Sequence, residues 1–140
     1  MPDVNILVYA HRGELPQHPQ HRDWLQGLLD GMESYAVSDA VLSGFLRLVT
    51  NRRVFRTPTP LDVALRFADG FRNRPQAIVV APGPRHWPIF DRLCRETGVV
   101  GRDLPDAQLA AVAIEHGCEF VTADRGFARF KGLRTSAAPG

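Results

Sequence analysis

Lysine is nearly absent: the chain has one, Lys131, against sixteen arginines among its seventeen basic residues. Receiver domains and dehalogenase-type phosphatases need a lysine beside their aspartates, and the second aspartate of the latter would here be Asn5. Neither a Gly-Lys-Ser/Thr phosphate loop nor a Gly-x-Gly-x-x-Gly dinucleotide loop occurs, which removes two large nucleotide-binding classes. Cysteine is scarce too. Cys94 and Cys118 stand alone, form no ligand pair, and read as small buried hydrophobes in a reducing compartment. The longest apolar runs, Leu109 to Ile114 and Ala77 to Ala81, fall far short of the roughly 20 residues a membrane helix needs. The apolar stretch Ile6 to Ala10 follows Asp3 and runs into His11-Arg12, unlike a secretory leader. These absences lead us to expect a soluble, cytoplasmic protein with no membrane partner.

The chain of 140 residues has room for one core and shows no repeat or linker. We therefore expect one domain over 1–140, with 133–140 as a tail. Its charge is uneven: residues 45–75 hold seven arginines against Asp62 and Asp69, leaving ten basic and thirteen acidic residues elsewhere. A basic middle beside acidic ends suits either a phosphate-binding surface opposite a carboxylate cluster or ordinary solvated helix faces.

Apolar spacing predicts helices over His18–Leu29, Ala40–Asn51, Pro60–Asn73, Trp87–Glu96 and Leu104–His116, and a helical turn near Arg125–Phe130. Strand candidates are Tyr35–Val37, Glu119–Thr122 and Ala77–Ala81, the last a β-branched run of the kind buried in parallel sheets. Strands separated by helices imply an α/β fold, a parallel sheet with helices on both faces. Asn5–Ala10 fits a strand or the first turns of a helix, and six residues are too few for periodicity to decide.

Sites in such folds form where strand ends meet helix starts. The acids there are Asp3, Asp39, Asp103, Asp106 and Asp124. Each alone has a capping explanation, since Asp is a preferred N-cap and is favoured by about 0.3–1 kcal/mol beside a helix dipole. Together they would repel, and a divalent cation relieves that repulsion. Oxygen-only ligands suit Mg²⁺ or Mn²⁺, and an acidic pocket beside arginines points to metal-dependent phosphate chemistry on nucleic acid. His18 and His21 lack a further zinc ligand and read as surface residues. His86 has no evident partner, and Trp24 and Trp87 read as core or dimer contacts.

Four segments in order, Asp3-Val4-Asn5-Ile6-Leu7-Val8-Tyr9-Ala10, Phe45 to Phe55, Asp106-Ala107-Gln108-Leu109-Ala110-Ala111 and Val121-Thr122-Ala123-Asp124-Arg125-Gly126-Phe127, resemble a PIN-domain ribonuclease. More narrowly, the chain resembles the VapC-type toxins of VapBC toxin–antitoxin systems, from Asp3 to about Leu133. The resemblance implies a three-layer α/β/α domain with a central parallel sheet of about five strands, and Mg²⁺- or Mn²⁺-dependent endonucleolytic cleavage of RNA. It also implies a homodimer neutralised by a small antitoxin protein. Carried onto these residues, it puts catalytic metal ligands at Asp3, Asp106 and Asp124, with Asn5 and Thr122 steadying them. It reads Asn5–Ala10 as helix, leaving Met1 and Pro2 as most of the central strand, so that either the native start lies upstream or that strand is unusually short. Where the family usually has a glutamate after the second strand the chain has Gly44, and Gly126 replaces an acidic residue after the last aspartate. Asp103 and Asp39 are candidates to compensate, Asp103 the better placed. Arg47, Arg52, Arg53 and Arg56 are candidates for RNA backbone contacts. The alternative is a catalytically weak PIN domain that binds RNA or protein without cleaving.

Overall fold

The computed structural model describes residues 1–139; Gly140, the last residue of the expected tail, lies outside them. Helix α1 (Val4–His11) starts where Asp3 accepts a hydrogen bond from the Val4 amide, so the N-terminal run is helical. Helix α2 (His18–Asp30) ends at Gly31. Strand β1 (Tyr35–Ser38) leads into α3 (Asp39–Val49), whose N-cap is Ser38. Then follow α4 (Leu61–Arg72), β2 (Ala77–Val80) and α5 (His86–Thr97), which closes on Gly98 in the left-handed conformation that glycine adopts without strain. A 3-10 turn precedes α6 (Leu104–Glu115), and β3 (Phe120–Val121), a 3-10 turn over Arg125–Arg129 and β4 (Thr135–Ser136) complete the chain.

All strand pairing is parallel, as the alternation of strands and helices requires: β1 runs beside β2 and β3 beside β4. The N-terminal residues form a further extended segment on the other side of β3. The Met1 amino group donates to the Glu119 carbonyl, the Val121 amide to Met1 and the Asp3 amide to Val121, with a parallel bridge at Pro2. A single sheet of about five strands is thus not what the described residues form; they show two parallel pairs and this short segment. Asp3 already caps α1, so only a three-residue ladder is available there.

Buried apolar side chains gather in two clusters. One joins α1, α2, α3 and α4 around Leu7, Val37, Phe45, Val49 and Phe71. The other joins α5, α6 and β3 around Leu93, Ala110, Phe120, Phe127 and Phe130, and Leu109 packs against both.

Four expectations are corrected. β2 is an edge strand, and Ile78 and Val79 are 53% and 44% exposed, because no neighbour covers them among the described residues. The expected tail holds β4, which pairs with β3, and buries Ala138. Both cysteines are only half-buried; Trp87, expected in the core or at a dimer contact, is 69% exposed, which removes the first alternative alone. His21, expected at the surface, is buried: its Nδ1 lies 2.8 Å from the Gln17 carbonyl and the Tyr9 ring packs edge-on against it. His18 reaches the Tyr9 carbonyl instead.

Candidate active site

The C-terminal ends of the strands and the starts of α1, α3 and α6 enclose a cleft of about 510 Å³. Asp3, Asp106 and Asp124 line it together, although they lie far apart in the chain. Asp3 is buried, and both its oxygens are held. Oδ1 accepts the Val4 amide at 2.7 Å and Oδ2 accepts the Thr122 hydroxyl at 2.7 Å. The same hydroxyl accepts the Asp124 amide at 3.0 Å, so Thr122 ties two of the carboxylate-bearing segments to each other. Asp124 in turn caps the following turn, its Oδ1 accepting the Gly126 amide at 2.8 Å.

These groups feel one another. Burial pushes the Asp3 carboxyl above its ordinary range, against the opposing bonds from Thr122 and Val4, and the nearby Asp124 adds to the rise. Asp106, half-buried at the start of α6, is raised by desolvation and then by Asp3, while Arg129 pulls the other way. The Arg129 guanidinium lies 3.5 Å from Asp106 Oδ2, held over the Phe130 ring. Arg129 was not anticipated. Its only sequence signal is its place one turn beyond Asp124.

Other expected residues are placed differently. Asn5 lines the cleft but is exposed and makes no hydrogen bond to an aspartate, so the steadying role falls to Thr122 alone of the two. Asp103 is exposed, does not line the cleft and caps no amide with its side chain. Asp39 lines the cleft, yet Arg72 grips it with two bonds of 2.7 and 3.1 Å and lowers its carboxyl. Of the four arginines only Arg47 reaches the cleft wall. Arg52 and Arg53 sit on the exposed turn after α3, and Arg56 borders a separate hollow beside His11 and Arg12. Gly44 also forms part of the wall, and a Cβ there would stand 3.0 Å from Val4 Cγ2. Val4 thus crowds the position from which a glutamate would project.

Two residues without an anticipated role shape the opposite wall. His86 is buried, with Nε2 3.2 Å from the Gln108 carbonyl and its ring stacked on Phe90. Glu115, also buried, accepts the Gly83 and Arg85 amides at 2.7 and 2.9 Å and so pins the loop carrying Ala81 and Pro82 into the cleft.

Among the described residues no three His, Cys, Asp or Glu side chains close on one point as a complete ligand set. The three aspartates nevertheless have the chemistry of a site for a hard divalent cation: carboxylate oxygens, with Asp3 and Asp106 pushed toward protonation by burial and by neighbouring carboxylates. Mg²⁺ binds through few carboxylates and keeps several waters, so an open arrangement fits it.

The family model for the PIN domain matches residues 1–133. The chain is 46% identical over 132 residues to VapC ribonuclease Mb2897 of Mycobacterium bovis, covering 94% of this chain and 90% of that protein. It is 42% identical over 137 residues to ribonuclease VapC25 of Mycobacterium tuberculosis, covering 98% and 96%. Its fold is similar to that in the crystal structure of VapBC2 from Rickettsia felis bound to a promoter DNA fragment, with TM-score 0.69, 20% identity and coverage of 98% and 96%. The DNA-bound VapBC of Salmonella typhimurium gives 0.67 at 19% identity over the same shares.

Proposed function

The chain belongs to the PIN domain family, and from that premise we propose that it is a divalent-metal-dependent endoribonuclease, the toxin of a toxin–antitoxin pair. The observation that carries this reading is the meeting of Asp3, Asp106 and Asp124 around one cleft. Relatives named as ribonucleases at 42–46% identity support RNA as the substrate.

Asp3, Asp106 and Asp124 would hold Mg²⁺ or Mn²⁺. Such an ion, when bound, supplies an acidified water and polarises a phosphate oxygen, the requirements for in-line hydrolysis to a 5′-phosphate and a 3′-hydroxyl. The chain's own residues supply the rest. The Thr122 hydroxyl fixes the rotation of the Asp3 carboxylate, and the Gly126 amide does the same for Asp124. Arg129 offsets part of the negative charge beside Asp106, and Arg47 at the rim offers a positive contact for the phosphate backbone. Gly44 leaves the site without the family's usual glutamate, and Asp39, bound to Arg72, does not replace it.

The partners follow from the same reading. VapBC assemblies among the similar structures support a small antitoxin protein, and we extend the resemblance to a homodimer working in the cytoplasm. Among the described residues no helix is long and apolar enough to cross a membrane. The test is incubation of the purified protein with total RNA in Mg²⁺, Mn²⁺ or excess EDTA. Cleavage should need the metal and vanish in Asp106→Asn. Cleavage in EDTA, or by that variant, overturns the mechanism.

A further inference from the structure

A second cleft, of about 630 Å³, lies on the other side of Asp124 and Thr122. Its walls include Tyr9, Gln17, His21, Arg125 and Ser136, with Asp124 common to both clefts. Among the described residues, Nε2 of His21 is the one buried side-chain nitrogen or oxygen with no hydrogen-bond partner. The other ring nitrogen settles the tautomer. Nδ1 faces the Gln17 carbonyl at 2.8 Å, and a carbonyl only accepts, so in the neutral ring Nδ1 carries the proton and Nε2 presents a lone pair. A buried acceptor left unmatched costs free energy that a donor from outside would recover.

What could bring that donor is constrained by the surroundings. Arg125 is exposed and makes no ion pair among the described residues, so a cation stands ready at the same cleft. The Tyr9 ring, packed edge-on to His21 at 5.0 Å between centroids, offers an aromatic wall. An acceptor, an arginine and an aromatic ring beside a phosphate-cleaving cleft match the parts of a nucleotide: a hydroxyl or amine donor, a phosphate and a base.

We propose that this second cleft is a nucleotide subsite, in which one nucleotide of the RNA passing the carboxylates donates an O–H or N–H to His21 Nε2 and sets its phosphate near Arg125. The inference rests on the RNA-cleaving reading above for its choice of ligand. The donor has two sources, a ribose 2′-hydroxyl or a base amine. Nε2 is itself buried, so binding requires the side chains beside it at the cleft wall, half-buried Tyr9 and exposed Gln17, to give way.

The test uses the full chain in Ca²⁺, with a fluorescein-labelled 12-nucleotide mixed-sequence RNA and the DNA of the same sequence, read by anisotropy. His21→Asn keeps a donor toward the Gln17 carbonyl and removes the acceptor at Nε2; His21→Gln restores an acceptor near that point. Asn should weaken RNA binding by roughly five- to tenfold, the effect of one lost hydrogen bond, and Gln should recover part of it. A loss confined to RNA identifies the 2′-hydroxyl, and an equal loss for DNA identifies a base amine. Because His21 is buried, Arg125→Ala serves as a second variant: it should weaken both nucleic acids and reduce the salt dependence by about one charge. Wild-type affinity in a folded His21→Asn protein overturns the subsite. If that variant does not fold, wild-type affinity in Arg125→Ala overturns it instead. Cleavage of the same RNA in Mg²⁺ by wild type reports separately on the nuclease reading. Cleavage without any effect of these variants sinks the subsite alone, and variant-sensitive binding without cleavage sinks the nuclease alone.

Discussion

Replacing Thr122 by valine exchanges one hydroxyl for a methyl of nearly equal size and tests how the carboxylates are held. The hydroxyl is buried, donates to Asp3 Oδ2 at 2.7 Å and accepts the Asp124 amide at 3.0 Å. A hydrogen bond to a charged group contributes about 1.5–3 kcal/mol, so the variant should lose about that much stability near neutral pH without metal. The loss has a pH signature. Burial already raises the Asp3 carboxyl, and the Thr122 bond opposes that rise, so valine moves it higher still. A raised acid favours the folded state at low pH and loses that advantage as pH climbs through the folded value. The cost of Thr122→Val should therefore be largest at pH 7.5 and smaller at an acid pH below the raised Asp3 value, where the carboxyl takes up its proton. Freed to rotate, Asp3 should also bind Mn²⁺ about 10–100-fold more weakly. Urea denaturation in EDTA at the two pH values and calorimetric Mn²⁺ titration measure both effects, and Thr122→Ser should recover most of each. If Thr122→Val lies within about 0.5 kcal/mol of wild type at pH 7.5 and binds Mn²⁺ equally well, the hydroxyl does not organise the site.

Other perturbations reach other parts of the chain. Gly44→Glu should tighten Mn²⁺ binding by adding a carboxylate to the cleft wall but lower the melting temperature through the 3.0 Å contact with Val4, and Val4→Ala in the same chain should recover the lost stability. His11 titrates below its ordinary value of 6.5, chiefly through burial and then through Arg12, and its Nε2 lies 3.0 Å from the Thr59 hydroxyl, to which Arg12 also donates. The unfolded chain then binds the proton more readily, so stability should fall as pH drops from about 6.5 through the folded value, and His11→Gln should flatten that dependence in denaturant titrations. For Glu115 burial acts to raise the carboxyl, but the amides of Gly83 and Arg85 outweigh it and hold the group below its ordinary range. Glu115→Gln should speed hydrogen exchange at those two amides and slow RNA cleavage, with unchanged exchange ruling out a clamp.

Much of this was legible in the residues. Asp106 and Asp124 stand beside strand ends and helix starts, where periodicity and capping rules place them, and α3 covers most of the expected Ala40–Asn51. The N-terminal helix was not decidable from the six residues Asn5–Ala10, which fit a strand or the first turns of a helix capped by Asp3 or Asn5; the structure shows a helix with Asp3 as its cap. Asp103 reads as a good cap or ligand because it precedes a helix, yet the 3-10 turn before α6 leaves it in solvent. A β-branched run such as Ala77–Val80 looks the same in a central or an edge strand, since only its neighbours differ. His21 illustrates the same limit: nothing in its helical spacing announces that Tyr9 and Gln17 would bury one nitrogen and leave it unmatched.

Met1, Pro2 and Asp3 take their backbone partners from Glu119 and Val121, and Asp3 takes its side-chain partner from Thr122. Contacts between residues 1–3 and residues 119–122 do not exist until the ribosome has made most of the chain. A nascent chain therefore lacks the assembled carboxylate site through most of translation, and so does any product cut short before β3. The cleft becomes complete only when β3 and the turn carrying Asp124 have emerged.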